Sequence, residues 1–151
     1  MDCFQENKTF SYGQLQIFLN LASNSKFNLK DEDFNYIAID CASSSIEALN
    51  TILTMAQKNI KIPDNVINAT SLNVTKLDIT GWRSVHILLE LGNNGNICAL
   101  QNIKTLASEI QNIIKYKINS SSGIRIYNDI INPYKSSKYE IIRNILIQCT
   151  I

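Results

Sequence analysis

Glycine and proline are scarce in this chain, with 5 and 2 among 151 residues. So few glycines leave no phosphate-cradling loop, and neither a GxSxG nucleophile turn nor a dinucleotide fingerprint is present. No glycine- or proline-rich linker divides the chain, and its length suits a single domain spanning residues 1–151. Histidine occurs once, and the four cysteines (Cys3, Cys41, Cys98 and Cys149) form no CxxC pair. That leaves no metal-site spacing and no HExxH motif, so no metal and no cofactor are expected; reduced thiols in a cytosolic protein are the simpler reading. Charge is thin as well, at 18% with a net value of +1 and scattered basic residues, which gives no case for nucleic acid. No apolar run approaches the ~20 residues of a membrane span. Residues 1–9 lack the basic start and apolar core of a secretory signal.

What is present is an ordinary apolar fraction, 45%, carried on a bias toward Ile, Asn, Lys and Ser that suggests A/T-rich coding. Such a chain produces Asn-x-Ser/Thr by chance, at Asn7, Asn68, Asn73 and Asn119, and glycosylation is not expected.

Helical spacing dominates the pattern. Leu15, Phe18, Leu19 and Ala22 share one face of a helix over residues 10–22, followed by a polar connection over 23–30. Asp31, Glu32 and Asp33 favour the start of a short helix carrying Phe34, Ile37 and Cys41. Ser43, Ser44 and Ser45 open the next, with Ser44 and Glu47 spaced as a capping box. Its apolar set is Ile46, Leu49, Ile52, Leu53, Ala56 and Ile60, widened by Met55; Pro63 stops it and Asp64 can cap the next segment. Residues 66–77 read as helix, although their Asn-Val-Thr run suits an extended segment equally. A turn over residues 93–96 precedes renewed apolar character at 97–100 and a helix marked by Ile103, Leu106, Ala107, Ile110, Ile113 and Ile114. Residues 120–123 form a loop, and two short helices, about 124–131 and 138–149, flank Pro133.

The stretch from Asp78 to Gly92 holds the single Trp and the single His. From Val85 to Leu91 only His86 and Glu90 interrupt its apolar character. A helix that is apolar all round is surrounded by other elements, so this is the expected central helix, with Thr80 as N-cap and Gly81 and Trp82 in its first turn. Seven or eight helices around it make an all-α bundle. Catalysis is not expected. His86 could act as a general base with Glu90 one turn away, but a lone His in an apolar helix is more often a packed side chain.

This central stretch resembles the first homology motif of the Bcl-2 family, Asn-Trp-Gly-Arg followed by an apolar helix and Glu-Phe-Gly. Trp82 matches the family Trp, Glu90-Leu91-Gly92 matches the motif's end, and Leu88 and Leu89 stand at its paired aromatics. Cys98-Ala99-Leu100 is similar to the continuation of that helix after a short insertion at residues 93–96, and residues 103–118 suit its hairpin partner. Ser122-Gly123-Ile124 resembles a decayed second homology motif, with Ile124 in the place of its Trp. Three positions depart: the family Gly and Arg are Arg83 and Ser84 here, and the family Asn is Gly81. Either Arg83 supplies the guanidinium from one residue earlier or the salt bridge to a partner's Asp is absent.

The resemblance implies a Bcl-2-like helical bundle of the viral, poxvirus type. It further implies an inhibitor of host apoptosis that is no enzyme and takes the amphipathic death-motif helix (third homology region) of pro-apoptotic Bcl-2 proteins into a hydrophobic groove. Groove residues nominated on this basis are Ala48, Ile52, Met55, Ala56, Leu72, Val74, Gly81, Arg83, Ser84, His86 and Ile87, with Trp82 bracing the bundle from beneath. The alternative it implies is the same fold with a closed groove, inhibiting innate-immune (NF-kappa-B) signalling through protein contacts. The implied location is the host cytoplasm, associated with mitochondria through its partners, although no C-terminal membrane anchor is seen. The hinge at residues 93–96 would permit a homodimer by helix exchange.

Overall fold

The computed structural model describes residues 12–23, 29–121 and 123–149, and within them it is all helical, with no strand. Expectations for Phe10, Cys3, Asn7, Ser122 and most of the 23–30 connection lie outside the described residues. In order, the α-helices are α1 (Tyr12–Ser23), α2 (Asn35–Ala42), α3 (Ile46–Gln57), α4 (Asp64–Ser71), α5 (Ile79–Asn93), α6 (Ile97–Thr105), α7 (Ala107–Ile118), α8 (Gly123–Ile126) and α9 (Glu140–Ile147). Short 3-10 turns lead into α2 (Asp31–Phe34), follow α4 (Leu72–Thr75) and follow the π-turn Tyr127–Ile131 that widens the end of α8 (Asn132–Tyr134).

The apolar spacing produces the core. Leu15 and Phe18 of α1, Ile37 and Cys41 of α2, and Leu49, Ile52, Met55 and Ala56 of α3 are all buried. Phe18 stands edge-on to Phe34 with ring centroids 5.0 Å apart. Of α5, residues 80–82, 84–89, 91 and 92 are buried, and α3 packs along it most extensively, with α6, the Leu72–Thr75 turn, α7, α4 and α9 around the rest. Burying one Leu or Ile side chain contributes roughly 1.5–3 kcal/mol, so this helix anchors much of the bundle's stability.

Several boundaries differ from the sequence expectation. The cap of α5 is Asp78, not Thr80: its Oδ1 accepts from the amides of Thr80 at 3.0 Å and Gly81 at 3.1 Å, so the helix starts earlier. Ser45 caps α3, accepting from the Ala48 amide at 3.3 Å, so the box between Ser44 and Glu47 does not form. The C-terminal end of α3 is at Gln57, well before Pro63, and Pro63 is the N-cap residue of α4, with Asp64 in its first turn. Residues 66–77 are part helix, part 3-10 turn and part extended chain, since Lys76 has φ −96° and ψ 122°. The central helix does not continue through Cys98. It ends at Asn93, and α6 begins afresh with Asn96 as cap, accepting from the Ala99 amide at 2.9 Å. A break at Leu106 then divides the long helix expected over residues 103–118.

Scarce glycine leaves its mark on these ends. Helices α2, α3 and α5 all close with paired hydrogen bonds around a left-handed residue: Ser44 (φ 67°), Asn59 (φ 57°) and Gly95 (φ 91°). For α3, the Ile60 amide donates to Met55 O at 3.0 Å and the Asn59 amide to Ala56 O at 3.1 Å. This is the Schellman arrangement, which glycine adopts without steric penalty; Asn and Ser occupy it here at some cost.

Candidate binding surface on the central helix

The structure places nine of the eleven nominated groove residues inside the protein. Ala48, Ile52, Met55, Ala56, Val74, Gly81, Ser84, His86 and Ile87 are buried, whereas Leu72 is 65% exposed and Arg83 is partly exposed. The nominated residues therefore do not line an open groove. The two helices are in direct contact, and the side chains meant to receive a partner fill the space between them. Apolar spacing along a helix cannot separate a groove floor from a core.

Ser84 is closed off chemically as well, since its hydroxyl donates to Thr80 O at 2.9 Å. Gly81 has a steric explanation. A Cβ there would lie 1.8 Å from the carbonyl oxygen of Lys76, so the Asn that the family motif carries has no room in this turn.

One line of α5 escapes the surrounding helices. Its residues that are not buried are Ile79, Arg83, Glu90 and Asn93, and His86, 9% exposed, completes the series at spacings of four, three, four and three. That spacing keeps all five within a narrow stripe of the helix surface. Tyr134 covers its second half: the hydroxyl donates to the Glu90 carboxylate, and the ring stands 6.2 Å from the imidazole of His86 at 69°. The first half, Ile79 at 46% exposure and Arg83, is left open.

The electrostatics of this line are unsettled. Arg83 Nε and His86 Nδ1 are both buried, and neither has a hydrogen-bond partner among the described residues. An orphaned buried polar atom costs about 1–3 kcal/mol until a partner arrives. Burial, helped by the Arg83 charge and opposed by Glu90, lowers the pKa of His86 below its ordinary 6.5, so the imidazole is neutral at physiological pH. Burial, with the Glu90 contact, raises that of Tyr134 and keeps the phenol protonated as a donor.

Sequence reasoning missed Ile79 and Tyr134 altogether and weighed Glu90 as a partner for His86 and as part of the family motif, whereas Glu90 accepts from Tyr134. The heptad-like stripe of Arg83, His86 and Glu90 was the available signal. Nothing in the local sequence around Pro133 marks Tyr134 as its cover.

Asn73, part of a chance glycosylation triplet, is fully buried and joins two segments. Its Nδ2 donates to Cys41 O at 2.7 Å, and its Oδ1 accepts from Ser44 Oγ at 2.7 Å and Lys76 Nζ at 3.2 Å. This fastens the end of α2 to the chain entering α5. Cys41 beside it has its pKa raised to about 12 by burial and is no nucleophile. Among the described residues no cluster of His, Cys, Asp and Glu could hold a metal ion, and no helix is long and apolar enough to cross a membrane.

No protein-family model, curated protein or solved structure matches this chain.

Proposed function

We propose that this protein is a non-enzymatic, viral-type Bcl-2-like inhibitor of host apoptosis that binds the death-motif helix of pro-apoptotic Bcl-2 proteins along the uncovered line of α5. The observation that carries this reading is the pair of buried, unpartnered atoms on that line, Arg83 Nε and His86 Nδ1, with exposed Ile79 one turn before them. An amphipathic helix supplies what they lack. Its apolar side chains meet Ile79, and an acidic residue between them reaches the guanidinium of Arg83. Each buried apolar anchor contributes roughly 1.5–3 kcal/mol and the charge-assisted bond a comparable amount, so three or four anchors with that bond reach the roughly 8 kcal/mol of micromolar binding. Arg83 fills the role of the family arginine, since Ser84 is in the core. Such a partner would draw the protein to mitochondria from the host cytoplasm.

A second reading is favoured by the packing of Ala48, Ile52, Met55, Ala56 and Ile87 between α3 and α5. On that reading the groove stays closed and the protein inhibits innate-immune (NF-kappa-B) signalling through its outer surface. Calorimetric titration with a panel of death-motif peptides separates the two. Binding at micromolar concentration or below, weakened at least about tenfold in Arg83→Ala, supports the first; absence of heat with every peptide supports the second.

A further inference from the structure

A second surface lies away from the α5 line. Between α7 and the segment of Val74, Thr75 and Leu77 is an open apolar cleft of about 420 Å³. Buried Val74 and Ile113 form its floor, and Leu77 and Tyr116, 54% and 53% exposed, stand at its rim. Two side chains of this size held half in water are an incomplete burial that an apolar occupant would finish.

The charges around the cleft indicate which occupant. Along α7, Glu109 and Lys115 lie three residues before and three after Asn112, and all three line the cleft. The two charges are therefore about 9 Å apart along the helix axis, and neither is ion-paired among the described residues. A two-fold axis beside Asn112 reverses α7, bringing each Glu109 level with the partner's Lys115. The same axis sets Asn112, both donor and acceptor, against its own copy. Opposite charges at equal distances from one point make the surface complementary to itself.

We propose that this cleft is the contact face of a two-fold homodimer in which Leu77 and Tyr116 are buried and two reciprocal Glu109–Lys115 pairs set the register. Each chain keeps its own helices, so no exchange at residues 93–96 is involved, and the proposal stands apart from the death-motif reading.

Sedimentation velocity across a concentration series tests it. The unaltered protein shows a monomer–dimer equilibrium. Glu109→Lys and Lys115→Glu, each of which sets like charges together at two places, raise the dimer dissociation constant at least about tenfold. Mixing the two variants in equal amounts restores a 1:1 dimer, because reversed sites then meet each other and unaltered sites meet each other, both with opposite sign. The restored dimer also shows that neither variant is unfolded. A protein that stays monomeric at every concentration, variants that dimerise as the parent does, or a mixture that stays apart would each overturn the proposal.

Discussion

His86 sits where its charge has consequences for the fold. Because burial and Arg83 hold its pKa below the ordinary 6.5, the unfolded chain binds a proton more readily than the native one. Stability is therefore level above about pH 6.5, falls as the pH drops below that value, and levels again once the native imidazole is protonated too. Urea unfolding of the parent and of His86→Gln across pH 5 to 8 measures this, and the variant should lose that part of the slope; identical slopes would contradict the assignment. Asp78 acts in the same sense at lower pH. Its bond from the Thr80 hydroxyl, then that from the Gly81 amide, lowers its pKa below 3.8, so its capping contribution is present at neutral pH and is lost only in stronger acid. The same residues show what sequence can convey at this scale. Trp82, Val85, Leu88 and Leu89 were legible as interior from their apolar character alone, and all are buried. That Arg83 would remain half out while Ser84 turned inward was not legible, because a one-residue step around a helix depends on the helices that cover it.

At the scale of elements, the helix faces followed from spacing and the helix ends did not. Ile37 and Cys41 fell on the buried face of α2 as expected, with Phe34 buried in the turn before it, and so did Leu49 and Leu53 on α3. The ends were misjudged because two of the left-handed stops carry Ser44 and Asn59, which have no distinctive signature, while only Gly95 announces itself. Asn59 is exposed, and its substitution is a clean measure of the cost of such a stop. Asn59→Gly should raise stability by about 0.5–1 kcal/mol and Asn59→Val should lower it, since only glycine adopts this backbone without strain. Thermal unfolding checks both, and equal midpoints for the three proteins would mean that Asn59 carries no strain. The buried bonds of Asn73 to Cys41 and Ser44 were equally hidden, because they join residues about thirty positions apart.

For the whole molecule, an all-helical protein built around one buried helix was legible, since the apolar stretch after Trp82 admits few other roles. Whether a groove remained beside it was not, because the residues that line an open trough and those that fill a closed one are the same apolar types. The structure brings α3 onto α5 and leaves access along the stripe through Ile79 and Arg83, which is the stripe the proposed function assigns to a partner helix. Amide chemical-shift mapping of the isotope-labelled protein during titration with a death-motif peptide tests this most directly. The expected result is a set of saturable shifts centred on Ile79, Arg83, His86 and Glu90, with Tyr134 responding as the cover of their second half. A spectrum unchanged at millimolar peptide, or shifts confined to surfaces away from α5, would contradict it.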